Sequence, residues 1–228
     1  MQSSRHKIII YGGNGFVGTH LAEKLSSEDL CIVCLSRSGH KPLHLKDQPW
    51  GEKVRWCKGD ANDPDEELLS SAEVVVILVG SAPLPTLSQE AYQLQLNSNG
   101  KAPSRVIEAA LKVGVKQIVL MGAQIPCFLN HDFFAYARGK RNALESAKHF
   151  AEKSDEHSAV VLRPGAIYGK RHLSNGKVIP LDAFISPLAK VVPSQFICID
   201  RLTNKLKDAI INHDVYRGKF TCLKQNEI

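Results

Sequence analysis

Two side chains capable of acid–base chemistry, Tyr136 and Lys140, stand four residues apart in a stretch whose apolar pattern predicts a helix over 132–153. Residues at this spacing lie on one face of a helix, one turn apart. A nearby ammonium group favours the phenolate and lowers the pKa of the tyrosine, which makes the hydroxyl a usable proton donor or acceptor. The pair therefore predicts a catalytic Tyr136 tuned by Lys140. Because this spacing is common, its meaning depends on the elements around it.

The amino-terminal part of the chain carries a strand, a glycine-rich turn and a helical pattern in direct succession, over 7–11, 12–15 and 16–27. In such a turn the first glycine permits a tight bend, the second lets the backbone approach a pyrophosphate, and the third lets helix and strand pack closely. The helix N-terminus offers free N–H groups to the phosphates. A tight turn without a ligand is the alternative for this motif alone. The residues predicted to hold the pyrophosphate are Gly12, Asn14, Gly15, Phe16, Val17 and Gly18.

Strand and helix patterns alternate through the rest of the chain, which predicts an α/β fold with a Rossmann-like, doubly wound parallel sheet. The apolar runs are continuous, as expected for parallel strands covered on both faces. We expect a single domain, in which 1–170 bind a dinucleotide and 171–228 form a small, irregular substrate or lid region. The predicted strands are 7–11, 31–36, 53–58, 74–79, 117–121 and 159–163, and a further helix is predicted over 90–113.

The end of the second predicted strand reads Ser36, Arg37, Ser38, with no acidic residue to bind the ribose 2′-hydroxyl of NAD. A guanidinium between two hydroxyls suits a 2′-phosphate, which a carboxylate would repel. These residues favour NADP(H) over NAD(H). The alternative is a solvated loop arginine.

Further cofactor contacts are predicted where the next strands end, since ligands bind beyond the carboxyl ends of such sheets. Asp60 could accept a hydrogen bond from the adenine amino group, or it could simply cap a turn. Small residues at Val79 and Gly80 would let the backbone approach the dinucleotide, and Asn99 stands near the start of the next predicted helix. The cofactor-binding residues predicted here are Asp60, Ala61, Val79, Gly80, Asn99 and Lys140.

The composition of the 228-residue chain, 43% hydrophobic and 23% charged, is that of an ordinary globular protein. The net charge of +6 fits an anionic partner or a solvated basic surface. Basic residues form no long run and are not interleaved with aromatics, so a nucleic-acid partner is not predicted. Six scattered cysteines predict buried free thiols, a reducing compartment and no metal site. Residues 1–6 are polar, without a signal core, and no apolar run is long enough to span a membrane.

The ordered set of motifs resembles the short-chain dehydrogenase/reductase superfamily, in its atypical or extended NAD-dependent epimerase/dehydratase-like branch. The residues that carry the resemblance are the glycine turn at 12–18, Gly59-Asp60, Asn99, Tyr136-x-x-x-Lys140 and 163–169. The turn at 11–18 together with 36–39 is most similar to a subgroup that holds the Rossmann accessory subunit of respiratory complex I and a yeast coenzyme Q biosynthesis protein. That resemblance implies bound NADP(H), oxidoreductase or epimerase-type chemistry, and association with a quinone-linked complex or a membrane surface.

One departure from the family pattern bears on activity. Active members carry Ser or Thr at the end of the fifth strand, whereas 122–135 contain no hydroxyl here. Gln124 could supply an amide donor in its place. Two functions stay open: an oxidoreductase or epimerase acting on a small organic substrate, and a non-catalytic NADP(H)-binding accessory or redox-sensing protein. The expected location is the cytoplasm, or the mitochondrial matrix side if a transit peptide has been removed.

Overall fold

The computed structural model describes residues 6–83, 86–173 and 177–228, apart from the side chains at 183, 184 and 188. Seven parallel strands form one sheet, namely β1 (His6–Tyr11), β2 (Leu30–Ser36), β3 (Val54–Lys58), β4 (Val74–Ile77), β5 (Gln117–Met121), β6 (Ser158–Arg163) and β11 (Phe220–Lys224). Their order across the sheet is β11-β6-β5-β4-β1-β2-β3. The short strands outside it are β7 (Ala166–Tyr168), β8 (Lys170–His172), β9 (Val178–Pro180) and β10 (Phe196–Cys198).

The helices lie on both faces of this sheet, as a doubly wound fold requires. They are α1 (Phe16–Leu25), α2 (Glu66–Ser70), α3 (Gln89–Leu96), α4 (Ala102–Lys112), α5 (Ala135–Glu152), α6 (Leu181–Val191), α7 (Ile199–Ile211) and α8 (His213–Tyr216). None of the helices in the described ranges is long and apolar enough to cross a membrane.

Side chains that alternate along β1 supply the two halves of the core. Ile9 and Tyr11 pack with residues of α4 and α5, including the fully buried Phe150. Ile8 and Ile10 pack on the other face with residues of α1 and α7. The continuous apolar runs of the sequence thus correspond to strands covered on both faces, and the predicted fold class is confirmed.

Two regions differ from the expectation. The predicted helix over 90–113 is two helices joined by a π-helical turn, Asn97–Lys101, so Asn99 lies mid-way along a long helical stretch rather than near its start. The carboxy-terminal region is more regular than its prolines indicate, because α7 packs against α1 and β11 extends the main sheet beside β6. Strand β11, with four half-buried residues and one exposed residue, gave too weak a pattern to be recognised. The polar stretch over 1–5 lies outside the described residues.

Candidate functional site

The glycine turn is built so that each glycine meets a different steric demand. Gly12 has φ of +82°, and its N–H donates to the carbonyl of Leu35 at 2.9 Å, which ties the turn to β2. A Cβ on Gly18 would lie 2.3 Å from the carbonyl oxygen of Gly12. Helix α1 therefore packs backbone against backbone on the turn, as the third glycine of such a motif requires.

Gly15 is exposed and less crowded than Gly18. A Cβ there would meet only the Gly12 carbonyl oxygen, at 3.1 Å. Gly15 is the N-cap of α1, and no side chain caps this helix end. The first N–H groups of α1 are consequently available to an anion, in the field of the helix dipole. An uncapped helix end under an open glycine fits a dinucleotide pyrophosphate.

Polar side chains gather beside the turn where β2 ends. The amide of Asn14 donates to the Ser38 hydroxyl at 3.1 Å, and the hydroxyls of Ser36 and Ser38 are 3.3 Å apart. We call residues 36–39 the ribose loop. Within the described residues, the exposed guanidinium of Arg37 has no hydrogen-bond or ion-pair partner, whereas nearby Lys41 is engaged by Glu52 at 2.6 Å. Arg37 is thus the free cation of this loop.

Asp60 forms the turn that follows β3. Its carboxylate accepts the backbone N–H of Asn62 at 2.9 Å and the amide of the same residue at 3.1 Å. The side chain of Asn62 in turn accepts from Asn97 at 2.9 Å, which links this turn to the π-helical segment. The turn-capping alternative therefore describes what Asp60 does in this structure, beside the buried Ala61. A contact with adenine stays a prediction.

The end of β4 meets the π turn at Gly80, which follows the half-buried Val79. Asn99 is fully buried, its amide donates to the Ser81 hydroxyl at 2.9 Å, and its oxygen accepts the Ser81 N–H at 3.2 Å. A Cβ on Gly80 would lie 2.8 Å from the Asn99 oxygen and 3.3 Å from Nζ of Lys140. Three predicted site residues from three elements thus converge at one point.

Two glycines that sequence reasoning missed make this convergence possible. A Cβ on Gly100 would lie 2.8 Å from Cα of Gly139, and one on Gly139 would lie 3.0 Å from Cβ of Asn99. The π turn and α5 therefore cross with their backbones in contact, which brings Lys140 beside Asn99. The available signal was a glycine within each of two helical patterns, a position that usually has a packing reason.

Lys140 and Tyr136 lie one turn apart on α5, and Lys140 reaches the end of β5. Lys140 is 9% exposed, its ammonium donates to the carbonyl of Met121 at 3.0 Å, and burial lowers its pKa to about 8. Its Nζ lies 5.9 Å from the centre of the Tyr136 ring. Burial raises the pKa of Tyr136 to about 12. The expected lowering of the tyrosine pKa by Lys140 is therefore wrong for this structure, because desolvation outweighs any ammonium effect.

The loop after β5 contains Gln124, and it is held by two side-chain contacts. The side-chain amide of Gln124 donates to the carbonyl of Ser194 at 3.2 Å, which anchors it to the carboxy-terminal region. Nε of Arg163 donates to the carbonyl of Ala123 at 3.2 Å. Arg163 thus holds the loop after β5. Neither interaction replaces the missing hydroxyl beside Tyr136.

The sheet order, the glycine turn and the crossing of α5 with the π turn define a Rossmann-like protein with a site along the carboxyl ends of its strands. The chain belongs to the NAD dependent epimerase/dehydratase family, whose model matches residues 8–190.

Two relatives of known sequence match parts of this chain. An uncharacterized chloroplastic protein of Arabidopsis thaliana is 34% identical over 194 residues, which are 82% of this chain and 59% of that protein. MIOREX complex component 2 of Saccharomyces cerevisiae is 37% identical over 78 residues, which are 32% of this chain and 28% of that protein. The chain thus spans less than two thirds of the length of either relative.

Solved structures share the fold. An oxidoreductase of the short-chain dehydrogenase/reductase family from Burkholderia thailandensis superposes with a TM-score of 0.74 at 18% identity, covering 99% of this chain and 94% of that one. UDP-glucuronic acid 4-epimerase from Bacillus cereus, in complex with UDP-glucuronic acid and NAD, gives 0.71 at 16% identity, covering 96% and 77%. At such identities the likeness concerns the fold alone.

Proposed function

We propose that the protein binds NADP(H) and carries out oxidoreductase or epimerase-type chemistry on a small organic substrate, with Tyr136 as the proton donor or acceptor. The observation that carries this proposal is the buried ammonium of Lys140, which lies beside Gly80. A Cβ added to Gly80 would be 3.3 Å from Nζ of Lys140. Burying an amine is costly, and perturbed titratable groups cluster at functional sites. A purely structural role would be met more cheaply by an apolar side chain.

Each part of the site has a task in this proposal. The N-terminus of α1 binds the pyrophosphate, and the absence of a side chain at Gly15 keeps its approach open. Lys140 binds the ribose next to the nicotinamide and orients Tyr136. A nicotinamide dinucleotide supplies the hydride that such chemistry transfers. The protein's share is then to place the substrate oxygen near the Tyr136 hydroxyl and to exchange its proton.

The preference for NADP(H) rests on the ribose loop. Arg37 is exposed and unpaired within the described ranges, and the hydroxyls of Ser36 and Ser38 flank it. An arginine–phosphate contact contributes about 1.5–3 kcal/mol, which corresponds to about 10- to 150-fold in affinity. No carboxylate of the loop opposes a 2′-phosphate.

A second function is favoured by the reaction side of the site. The pKa of Tyr136 is raised to about 12 by burial, and no hydroxyl follows β5 up to residue 135. A group with so high a pKa exchanges protons poorly near neutral pH. These features support a non-catalytic NADP(H)-binding accessory protein. The yeast relative is a component of a complex, so this alternative includes assembly on a protein complex or a membrane surface. Cytoplasm and mitochondrial matrix both remain proposals for its location.

Native mass spectrometry of the purified protein, followed by hydride exchange, tests both functions. The expected first result is a protein mass increased by one NADP(H). Bound NADPH is then offered to a panel of quinones, ketones and nucleotide sugars. Turnover with any of them supports the enzyme, whereas retained NADPH without turnover supports the accessory protein. Failure to retain or bind either dinucleotide would reject both.

A further inference from the structure

Three histidines from three separate elements meet beside α1, on the walls of a cavity of about 390 Å³. His20 belongs to α1, and His44 lies in a short 3-10 turn, Leu43–Leu45, a few residues after the ribose loop. His172 ends β8 in the carboxy-terminal region. The cavity therefore joins the dinucleotide helix, the segment after the ribose loop and the carboxy-terminal region. The proposed reaction uses none of these side chains.

The geometry of this cluster suits neutral imidazoles. The rings of His44 and His172 are stacked, with centroids 4.0 Å apart and planes inclined by 14°. Nδ1 of His172 is buried and has no hydrogen-bond partner among the described residues. Nδ1 of His20 donates to the Phe16 carbonyl at 2.9 Å. Protonating both stacked rings would place two cations face to face.

Among the described residues that line the cavity, the exposed carboxylate of Glu23 offsets that repulsion only in part, because solvent screens its charge. From α1, His20 and the exposed Glu23 face the cavity, and from β8, Lys170 faces it. The segment at 43–50 contributes only uncharged lining apart from His44, namely Leu45, Gln48 and Trp50. Burial, then His172 and His20, lower the pKa of His44 to about 4. Burial, then His20 and Lys170, lower the pKa of His172.

We propose that the His44–His172 stack is a pH-sensitive latch, which fastens the segment after the ribose loop to β8 near neutral pH and releases it in mildly acidic solution. With the rings apart, each imidazole has its ordinary pKa of about 6.5. Between that value and the closed-state value the open form binds more protons, so closure weakens as the pH falls below about 6.5 and is complete above it.

Opening of the latch would also affect the N-terminus of α1. Gly169, directly before β8, is so close to Phe16 that an added Cβ would lie 3.6 Å from its ring. The ring of His20 also meets Phe16 edge-on, with centroids 5.3 Å apart. Phe16 is the first residue of α1. Opening the latch therefore frees the flank of the helix end proposed to bind the pyrophosphate.

The chain's two tryptophans offer a direct test, since Trp50 lines the cavity and the other is Trp56. In a Trp56→Phe protein, Trp50 is the only tryptophan reporter, and acrylamide quenching of its fluorescence measures its accessibility. We expect the quenching constant to rise about twofold or more between pH 7.5 and 5.0, while far-UV circular dichroism stays constant.

Two variants in this background give the decisive comparison. His44→Phe and His172→Phe each keep an aromatic partner but remove one titrating ring, so either should reduce the pH response, and the double variant should abolish it. His149→Phe, at an exposed histidine of α5, is the matched control and should respond like its parent. A flat response in the parent, an unchanged response in both latch variants, or a response that follows loss of circular dichroism would overturn the latch. No cofactor is needed, so this outcome is independent of the proposed function.

Discussion

The proposed dinucleotide side of the candidate site is built from backbone, whereas the proposed reaction side is built from side chains. The turn at 12–18 makes its site from backbone, with glycines where a side chain would collide or block a ligand. The proposed reaction side depends on the side chains of Tyr136 and Lys140. Burial raises the pKa of Tyr136 and lowers the pKa of Lys140. The glycine turn has all three glycines of its motif. The proposed reaction side lacks the hydroxyl that the family pattern places after β5.

This contrast separates the proposed cofactor binding, which is tied to the core, from the proposed catalysis, which is not. The glycine turn is part of the core, because a Cβ on Gly13 would lie 2.5 Å from Cβ of Cys34 and one on Gly18 would collide with Gly12. Changing Gly13 or Gly18 therefore endangers folding as well as the proposed binding. A catalytic hydroxyl can be lost at a strand end without cost to the core. Binding is therefore expected to be more robust than catalysis in this chain.

The largest effect is expected from valine in the glycine turn, where binding and folding can be separated. Gly15→Val places its side chain on the exposed side of the turn and should weaken NADPH binding more than about 100-fold, because it blocks the pyrophosphate. Its melting temperature without ligand should fall less than that of Gly18→Val, because its Cβ would meet a single backbone atom, at 3.1 Å. Thermal melts with excess NADPH measure both, since a ligand bound only to the folded protein raises the melting temperature.

Gly18→Val is the matched comparison for that experiment. Its Cβ would lie 2.3 Å from the Gly12 carbonyl oxygen. This variant should therefore melt at a lower temperature even without ligand, because its free energy of unfolding should fall by about 1–3 kcal/mol. If Gly15→Val keeps the full ligand-induced rise, this turn does not hold the phosphates.

The next largest effect concerns Tyr136. Tyr136→Phe removes one hydroxyl and should lower turnover by about 10²-fold or more while leaving NADP(H) affinity nearly unchanged, as expected for loss of a general acid or base. Steady-state rates and cofactor titrations on wild type and variant make the comparison. An enzyme whose turnover survives this substitution would need another proton donor. If Tyr136→Phe changes neither turnover nor cofactor affinity in any assay, the result would instead agree with the accessory protein.

A smaller effect is expected at the ribose loop. Arg37→Ala should weaken NADPH binding about 10- to 150-fold and leave NADH binding unchanged, because only the former carries the 2′-phosphate. Fluorescence titration of both cofactors measures it. Arg55→Ala, at an exposed arginine of β3, is a control that should alter neither. Equal affinity of the wild-type protein for the two cofactors would contradict the predicted preference.

The sequence predicted the parts of the molecule that local patterns determine. Continuous apolar runs located six strands of the sheet, and β5 matches its predicted bounds, Gln117–Met121. Glycine spacing located the turn and the start of α1 at Phe16. Such features follow from backbone geometry and from burial on both faces, which are legible in short windows.

What the sequence could not supply depends on contacts between distant segments. The π turn at Asn97–Lys101 arises where its backbone meets Gly139, a partner about forty residues away in the chain. The raised pKa of Tyr136 follows from burial, which spacing to Lys140 does not reveal. The stack of His44 on His172 likewise joins segments that no local pattern connects.

The smallest effect tests the buried amine on which the reaction side depends. Burial lowers the pKa of Lys140 to about 8, from an ordinary value near 10.5. Between these values the unfolded chain binds more protons than the folded protein, so this group adds stability as the pH rises through that range, and its cost is full below pH 8. Lys140→Met lacks the titration. The free energy of unfolding of the wild type, relative to that of Lys140→Met, should therefore increase by about 1 kcal/mol between pH 8 and 9. Urea unfolding at the two pH values measures it. Lys148→Met, at an exposed lysine of the same helix, should show no such gain. A constant difference between wild type and Lys140→Met across this interval would mean that the amine keeps its ordinary pKa, and the site would then lose its main sign of function.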